Sequence, residues 1–418
     1  MLLEFSVTNF RSIGDRQSLS LVPGSSREVR QRFSHVTGVK GAPYALRVAG
    51  IFGPNGSGKS ALIQAMSFMR RFVVDSAREG QEGDKIDVKH FLFGAEDTSD
   101  LSEFEIVILL DGMKYQYGFM VNSEKVHAEW LYVVPPTGRM QRWFERSVDS
   151  ETGIDSWYIN PSIKGEKETW RKSTRDNALF LSQAVQLRAE SFQPIFNWFQ
   201  KKLKVIPSSQ RLSDNYTAKN CGDADQKAKI LELMSSVDTG IADFETAENE
   251  ITEDIISSVF TGEMKEHARA QLKDKKFFEV RAGRRNITGD LVYLDMADES
   301  DGTRVLFALA GPWIDVLENG HCLIIDELSN SLHPLAYHYL VDLINSSNNK
   351  NGAQLIFTSH DTSILTGKKM HPDEINFVEK NSALKTIIKP LSDFEVRSDE
   401  AIQRGYLGGR YGALPVIG

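Results

Sequence analysis

GPNGSGKS, residues 53–60, is the stretch of sequence that decides the fold. It matches the pattern G-x-x-x-x-G-K-[ST] in full, with an apolar strand expected at 44–52 before it and a helical pattern at 61–74 after it. In this pattern the glycines let backbone N–H groups converge on phosphate oxygens, and the N-terminal end of the next helix favours an anion. A chance glycine-rich turn would lack these flanks. The stretch therefore predicts a nucleotide-binding P-loop, with phosphate-binding residues Asn55, Gly56, Ser57, Gly58, Lys59 and Ser60.

The last two residues of the loop have separate roles in this prediction. Lys59 brings a positive charge to the β- and γ-phosphates, and the Ser60 hydroxyl is placed to ligate Mg²⁺. A nucleotide and Mg²⁺ are therefore the expected ligands.

Two acids end a second apolar strand, CLIIDE at 322–327. An acid at the C-terminal end of such a strand lies beside the P-loop, where ligands bind in parallel sheets. We expect Asp326 to hold Mg²⁺, directly or through water, and Glu327 to be the general base that polarises the attacking water. An acidic helix cap after an ordinary strand is the alternative, which the P-loop upstream makes less favoured.

A histidine ends a third apolar strand, QLIFTSHD at 354–361. A histidine in this place can hydrogen-bond a γ-phosphate or the attacking water. Histidines after strands are usually structural. His360, however, follows Glu327 by 33 residues, beyond one helix and one strand, and this order favours a catalytic role.

A second anion site is predicted within DESDGTRVLFAL, residues 298–309. Ser300, Gly302 and the first N–H groups of the helix that follows can bind an anion without a basic side chain. Such a site is useful if it meets a nucleotide held by another subunit. The alternative is a simple helix N-cap, for which Asp301 or Thr303 would suffice.

The order of elements predicts an α/β fold with a mixed or parallel sheet, because apolar strands alternate with helices around the P-loop. Asp111-Gly112 between two strand patterns predicts a hairpin and an antiparallel β subdomain. The middle of the chain reads as helical, for example at 226–237 and 254–271. We therefore expect an N-terminal half at 1–145, an inserted, mainly helical lobe at 146–285 and a C-terminal half at 286–418.

Composition excludes several classes of protein. With 418 residues, 41% hydrophobic and 25% charged, the chain is neither collagen-like, wholly disordered nor a disulfide scaffold. A net charge of −8 argues against a nucleic-acid coat, although local basic patches remain possible. Its two cysteines lack metal-ligand spacing, which excludes a cysteine-built zinc site and indicates a reducing compartment. No signal peptide or membrane span is expected, so the predicted location is cytoplasmic.

These motifs together resemble an ABC-type ATPase head of the SMC, DNA-repair and OLD class. The resemblance rests on NFRS at 9–12, GPNGSGKS, ESDGT at 299–303, LIIDE at 323–327, NSLHP at 330–334 and TSHD at 358–361. It implies an ATPase that forms a head-to-head homodimer, with each ATP between one P-loop and the opposite signature loop, and it leaves a higher oligomer open.

The resemblance also implies roles for further residues. ESDGT would be the signature, and 329–332 the D-loop that crosses the dimer seam. Arg11 and Ser12 would lie near the α-phosphate and base of the nucleotide. A glutamine at the junction with the helical lobe senses Mg²⁺ in this class, and Gln183 is the candidate, with Gln186 as second choice.

Residues 135–285 lack the sustained heptads of a coiled-coil arm, and the roughly 57 residues after TSHD are too few for a Toprim nuclease domain. The chain thus resembles the stand-alone RloA- or AbiLi-type ATPases of bacterial anti-phage systems, which are typically paired with a separate effector, often Toprim-like. The expected function is an ATP-hydrolysing switch in such a complex. The alternatives are a repair or recombination ATPase that binds DNA directly, and a nucleotide-binding scaffold that hardly turns over.

Two stretches are open to two interpretations each. KDKKFFEVRAGRR at 273–285 has the basic and aromatic residues of a nucleic-acid stripe, but a solvated hairpin edge is favoured. The tail at 405–418 is either a docking peptide or a cap on the sheet.

Overall fold

The computed structural model describes residues 1–94, 100–136, 138–149, 152, 155–209, 212–237, 239–250, 266, 269, 276–366, 368–396 and 401–414. The strands are β1 (Leu2–Thr8), β2 (Gln17–Ser20), β3 (Ser34–Val39), β4 (Ala42–Leu46), β5 (Val48–Phe52), β6 (Ser102–Leu110), β7 (Met113–Val121), β8 (Val126–Val134), β9 (Gln141–Val148), β10 (Asp155–Ile159), β11 (Leu203–Ile206), β12 (Asp243–Glu250), β13 (Lys276–Arg285), β14 (Leu291–Asp295), β15 (Cys322–Ile325), β16 (Gln354–Ser359), β17 (Ile375–Lys380) and β18 (Thr386–Pro390). The α-helices are α1 (Arg27–Arg32), α2 (Lys59–Asp75), α3 (Lys167–Ser173), α4 (Phe180–Gln186), α5 (Gln193–Asn197), α6 (Asn215–Asn220), α7 (Ala224–Ser235), α8 (Asp301–Asn319), α9 (Pro334–Asn345) and α10 (Ile402–Leu407).

The chain forms two compact units. The first contains Met1–Ser208, Val316–Ser329 and Leu340–Gly418, and the second contains Ser209–Asp315 and Asn330–Tyr339. These divisions differ from the three consecutive segments predicted above, because the chain leaves the first unit and returns to it twice.

A six-stranded sheet of the first unit carries the sequence motifs. Its order is β11-β15-β16-β5-β17-β18, and all neighbours are parallel except the final pair. The strand before the P-loop, β5, therefore lies between β16 and β17, and β15 lies on the other side of β16. The predicted α/β fold is confirmed, and three motif-bearing strands end at the same edge of one sheet.

The first unit also holds a seven-stranded antiparallel sheet of order β10-β9-β8-β7-β6-β1-β2. The predicted hairpin is present: Leu110 pairs with Met113, and Asp111 and Gly112 adopt φ of 49° and 75°. The single strand expected at 44–52 is instead two strands. The chain changes partners around Arg47, since β4 pairs with β3 whereas β5 joins the six-stranded sheet.

Helix α2 links the two large sheets through one hydrophobic core. Phe68 lies 4.9 Å from Phe104, and Phe72 lies 5.5 Å from Phe119, measured between ring centroids. Ile324 and Ile356 of the six-stranded sheet belong to the same core. The helix that begins at the P-loop is thus held along its length by burial of apolar side chains.

The helices after β10 belong to the first unit, where 146–208 had been predicted as part of a separate lobe. Aromatic packing explains their place: Phe144 of β9 lies 4.8 Å from Phe180 and 5.4 Å from Phe192. All three side chains are fully buried. The start of the predicted lobe therefore covers the antiparallel sheet.

The second unit contains a three-stranded antiparallel sheet of order β12-β13-β14 together with helices, so it is not purely helical. Phe244 of β12 packs on Phe307 of α8 at 4.7 Å. The helix predicted at 226–237 corresponds to α7. The helix predicted at 254–271 lies outside the described residues, apart from 266 and 269.

Candidate functional site

The loop at 53–60 has the backbone that its glycines permit. Gly53, Gly56 and Gly58 have φ of 158°, 75° and 107°. A Cβ on Gly53 would lie 2.2 Å from the Val378 carbonyl oxygen, and one on Gly58 would lie 2.0 Å from Thr386 Oγ1. The N-cap of α2, which begins at Lys59, is Gly58, and this residue has no side chain that could cap the helix. The loop and helix start thus form a cradle of backbone N–H groups that fits phosphate oxygens.

Lys59 lies across this cradle. Its Nζ donates hydrogen bonds to the carbonyl oxygens of Gly53 at 2.8 Å and Pro54 at 3.0 Å, and the residue is buried. Burial lowers the pKa of Lys59 to about 8, while Asp326 and Glu327 act to raise it. An anion beside this lysine would favour its charged form.

Strand β18 joins Ser12 to the P-loop through Thr386. The Thr386 hydroxyl lies 2.8 Å from Ser12 Oγ and donates to the Ser57 carbonyl oxygen at 3.0 Å. Its backbone N–H donates to the Ser12 carbonyl oxygen at 2.8 Å. These contacts place Ser12 beside the loop at 53–60. Thr386 was missed, because a single threonine in a late strand carries no motif.

Arg11 is exposed and makes different contacts from those of Ser12. Its backbone has φ of 52°, its N–H donates to the Lys89 carbonyl oxygen, and its guanidinium lies 5.7 Å from the Phe10 ring centroid. The structure thus joins Ser12 to the P-loop and shows the Arg11 guanidinium against Phe10.

The two acids and the histidine meet at the ends of β15 and β16. The ladder pairs Ile325 with Phe357, so that Asp326 is opposite Thr358. The Thr358 hydroxyl donates to Asp326 Oδ1 and accepts a hydrogen bond from the Glu327 N–H at 2.7 Å. Glu327 has φ of 54°, and its Oε1 lies 3.9 Å from His360 Nε2. Thr358 lay inside the TSHD motif, but no role was predicted for it.

The pKa of His360 is lowered by burial and then by the charge of Lys59, whereas Glu327 and Asp326 raise it. The imidazole is therefore neutral near pH 7 and keeps one donor and one acceptor nitrogen. A neutral imidazole near a carboxylate can position a water or a phosphate oxygen without adding a charge.

Ser300 is the N-cap of α8, within the second unit. Its Oγ accepts from the Thr303 N–H at 3.2 Å and lies 2.9 Å from Thr303 Oγ1. A Cβ on Gly302 would lie 2.7 Å from the Ser331 carbonyl oxygen. The predicted signature and part of the predicted D-loop are thus in contact, and this contact requires glycine at 302. Ser300 is exposed, so the same hydroxyl that caps the helix lies at the surface.

The structure places Gln183, the predicted Mg²⁺ sensor, on a helix far from the P-loop. Its neighbour Ser182 donates to the Val73 carbonyl oxygen and accepts from Ser76 Oγ at 3.2 Å, which places α4 at the C-terminal end of α2. At 1.5 Å per residue, Val73 is about 21 Å from Lys59 along the helix. Gln186, the second choice, is on the same short helix and shares this position.

The residues present fit a Mg²⁺ ion that is bound together with nucleotide. Ser60 lies in the first turn of α2, and Asp326, whose Oδ1 accepts from Thr358, lies directly after β15. No cluster of three or more His, Cys, Asp or Glu side chains able to hold a metal occurs in the part of the chain that the structure describes. Mg²⁺ commonly takes one or two protein ligands, with phosphates and waters completing its shell.

The basic stretch at 273–285 forms the middle strand of a sheet over its described residues, 276–285; residues 273–275 lie outside the described residues. Its cations face acids: Lys276 pairs with Glu248 at 2.7 Å, and Arg281 lies 3.5 Å from Glu245. This neutralisation does not favour a nucleic-acid stripe, and the central place of β13 in its sheet differs from the predicted hairpin edge.

The tail covers the six-stranded sheet over its described residues, which end at 414. Tyr406 and Tyr411 stack on Phe377 of β17, with ring centroids at 4.7 and 5.6 Å. The Ala413 N–H donates to the Glu379 carboxylate at 2.7 Å. A cavity of about 800 Å³ lies between tail and P-loop, lined by Gly53–Ser57, His360, Thr362, Glu379, Lys380, Tyr406, Leu407 and Leu414.

Comparison with known proteins assigns the family. Residues 48–366 match the family described as "AAA domain, putative AbiEii toxin, Type IV TA system". The match covers well over half of the chain and includes the P-loop, both acids and His360. The chain belongs to this AAA-domain family. No curated protein matches it in sequence.

Solved structures similar to this chain include two SMC heads. One is the SMC head domain from Thermotoga maritima, at 13% identity and a TM-score of 0.43, covering 94% of this chain and 99% of that chain. The other is the Smc head domain with an extended coiled coil bound to the C-terminal domain of ScpA, from Pyrococcus furiosus, at 14% identity and a TM-score of 0.42, covering 94% and 97%. In the described residues, the helices lack the combination of length and apolarity that crossing a membrane requires.

Proposed function

We propose that this AAA-family protein is an ATP-hydrolysing switch of ABC type that acts as a homodimer and controls a separate effector in a bacterial anti-phage defence system. The observation that carries the ATPase proposal is the convergence of Lys59, Glu327 and His360 at one sheet edge, with Glu327 Oε1 3.9 Å from His360 Nε2. A loop that only bound nucleotide would need no such pair.

In this proposal the P-loop N–H groups and Lys59 bind the β- and γ-phosphates. Glu327 orients the attacking water and accepts its proton, and neutral His360 hydrogen-bonds the γ-phosphate or the same water. Ser60 and Asp326 would hold Mg²⁺, which neutralises charge on the phosphate oxygens when bound. Ser12, held by Thr386, contacts the nucleotide near its α-phosphate, and Arg11 extends that side of the site.

The dimer proposal rests on Ser300 and Gly302. Their exposed helix start has the N–H groups of an anion site, and it lacks a lysine of the P-loop kind. It therefore suits the γ-phosphate of an ATP that is held by the P-loop of the partner subunit. Two such composite sites would couple ATP binding to closure of the dimer.

The defence role is supported by the family, whose description refers to type IV toxin–antitoxin systems. An ATP-controlled dimer has two states, which is what a switch needs to restrain or release an effector. Co-purification with the product of the neighbouring gene, followed by mass measurement with and without ATP, tests this part. The proposal of an effector fails if no complex forms in either condition.

Glu327→Gln tests the ATPase part. The variant keeps the size of the side chain and removes the base, so we expect ATP binding to persist and turnover to fall by at least about 10²-fold. Phosphate release measured beside calorimetric titration with Mg-ATP separates the two effects. Turnover at the wild-type rate would show that Glu327 is not the general base, and His360 would be the next candidate.

A further inference from the structure

We infer that Thr358 is a positioning residue for ATP hydrolysis, which sets the orientation of both acids through one hydroxyl group. The inference rests on the proposed function and adds a residue to its site. It concerns the end of β16, between the strand of the P-loop and the strand of the acids.

Beyond the paired residues of β15 and β16, the Thr358 hydroxyl bonds to the chain of β15 in place of a backbone group. Backbone pairing ends at Ile325 and Phe357, and Asp326 and Glu327 follow the end of β15. There the hydroxyl accepts from the Glu327 N–H at 2.7 Å and donates to Asp326 Oδ1. The Thr358 carbonyl oxygen also accepts from the Leu328 N–H at 3.0 Å. One residue therefore binds three successive residues of the acidic turn.

Each of these bonds has a separate effect on the acids. The bond to Asp326 occupies one carboxylate oxygen and fixes the plane of the group, so that the second oxygen has a defined direction. The bond from Glu327 holds its backbone at φ of 54°, a left-handed conformation that is uncommon for a residue with a side chain. Because the backbone conformation sets the direction of Cβ, this bond directs the Glu327 carboxylate toward His360.

Thr358 is fully buried, so water cannot replace its hydroxyl. Without the hydroxyl, the Glu327 N–H and Asp326 Oδ1 would lose a partner inside the protein, and the turn would relax to another conformation. A shift of about 1 Å in a reacting group can cost about 10²-fold in rate. The hydroxyl should therefore matter more for turnover than for ATP binding.

Thr358→Val and Thr358→Ser test the inference. Valine has the shape of threonine and no hydroxyl, and serine retains the hydroxyl. We expect Thr358→Val to lower kcat by about 10- to 100-fold with little change in the Kd for Mg-ATP, and Thr358→Ser to restore most of the turnover. Comparable turnover in both variants and the wild type would overturn the inference.

Thr217→Val is a matched control for loss of a buried threonine hydroxyl. Thr217 is also fully buried, and its hydroxyl donates to the Ala308 carbonyl oxygen at 3.2 Å and accepts from the Gly311 N–H at 3.1 Å. It contacts neither acid in the structure. Thr217→Val should lose thermal stability as Thr358→Val does, and keep its kcat. An equal fall in kcat for both variants would assign the effect to stability alone.

A double-mutant cycle tests whether Thr358 acts through Glu327. In a Glu327→Gln background, Thr358→Val should cause a much smaller further loss of turnover than in the wild type, because the base is already absent. Additive losses would contradict the inference.

Amide hydrogen exchange at Glu327 gives a readout that does not require hydrolysis. The Glu327 N–H should be protected in the wild type and Thr358→Ser, and exchange faster in Thr358→Val. If the wild type hydrolyses no ATP, the proposed function fails, and this exchange result still decides whether Thr358 holds the acidic turn. Equal protection in all three proteins would overturn the inference.

Discussion

Lys59 shows how one residue can depend on several elements. The side chain projects from the start of α2, its Nζ donates to the carbonyl oxygens of Gly53 and Pro54, and its burial lowers its pKa to about 8. A buried amine of this kind is stabilised in its charged form by an anionic ligand. The charged form of Lys59 is therefore more stable in the nucleotide complex than in the protein alone.

We expect Lys59→Ala to remove most ATP binding, because it deletes the charge that faces the β- and γ-phosphates. Calorimetric titration with Mg-ATP measures the loss. Lys40→Ala is the control, since Lys40 is exposed in the β3–β4 turn and its removal changes the net charge equally. Unchanged affinity in Lys59→Ala would show that 53–60 is not the working P-loop.

Glu374 predicts a pH dependence of stability. The residue is fully buried, its carboxylate accepts from Asn345 Nδ2 at 3.0 Å and from the His371 N–H at 2.8 Å, and burial raises its pKa to about 8. The unfolded chain has the lower pKa, so the folded state binds the proton more tightly. The stabilising contribution is complete below about pH 4.5 and is lost as pH rises toward 8.

The free energy of unfolding should therefore fall between about pH 5 and 8, by at most about 1.4 kcal/mol per pH unit from this group. Glu374→Gln has no proton to lose, and its unfolding should depend less on pH across this range. Urea unfolding at several pH values compares the two proteins. An equal dependence of the free energy of unfolding on pH in both proteins would show that ionisation of Glu374 does not destabilise the fold.

At the scale of elements, the β17–β18 hairpin supports the P-loop and the tail supports the hairpin. The Val378 carbonyl oxygen faces Gly53, and Thr386 binds Ser57. Phe377, which precedes Val378 on β17, stacks with Tyr411, and Tyr411 is buried. Loss of the tail contact should therefore disturb the loop as well as the fold.

We expect Tyr411→Ala to destabilise the protein by about 3–5 kcal/mol, the usual range for large aromatic-to-alanine changes in a core. The Kd for Mg-ATP should also rise, because β17 would no longer be held against Gly53. Tyr411→Phe keeps the ring and serves as the control. Wild-type ATP affinity in Tyr411→Ala, measured well below its melting temperature, would show that the tail and the P-loop are independent.

Local chemistry explains which elements could be predicted from sequence. The P-loop, the acids after β15 and His360 after β16 are recognisable because each functional residue follows the end of its strand by at most eight residues. The hairpin at Asp111-Gly112 follows from the same local logic. The six-stranded sheet then brings these separate stretches to one edge, as parallel pairing requires.

Contacts between distant residues explain what could not be predicted. Thr386 reaches Ser12 across almost the whole chain, and no pattern marks either the contact or its partner. The role of Gln183 follows from the family resemblance alone, and the hydrogen bond of Ser182 to Val73 holds its helix at the far end of α2. The division of residues 42–52 into β4 and β5 at Arg47 cannot be predicted from the apolar run, because it arises where the chain changes its partner strand. Such features are set by packing, which local propensity does not encode.

At the scale of the whole molecule, the proposed homodimer predicts that each ATP site needs residues from two chains. Ser300 and Lys59 would serve one ATP from two different subunits. Ser300→Arg places a long charged side chain where a γ-phosphate must approach the start of α8, and it leaves the P-loop of its own chain untouched. We expect this variant to bind ATP nearly normally, to fail to form the closed dimer and to fail to hydrolyse ATP.

Ser300→Gly separates loss of the helix cap from obstruction of the anion site. Glycine at an N-cap costs only a few tenths of a kcal/mol relative to serine, and it leaves the N–H groups accessible. Ser300→Gly should therefore retain more turnover than Ser300→Arg. If Ser300→Arg hydrolyses ATP at the wild-type rate, residues 299–303 are only a helix cap.

Mixing Ser300→Arg with Lys59→Ala tests directly whether the site is shared. Each variant alone has two damaged sites, whereas a hybrid dimer has one intact site, with Lys59 from the Ser300→Arg chain and Ser300 from the Lys59→Ala chain. Partial recovery of phosphate release in the mixture is expected, provided that one site can act alone, and it should grow with the fraction of hybrid dimers seen by mass. Sites contained within one chain would give no recovery at any mixing ratio, because every chain in the mixture would still carry its own defect.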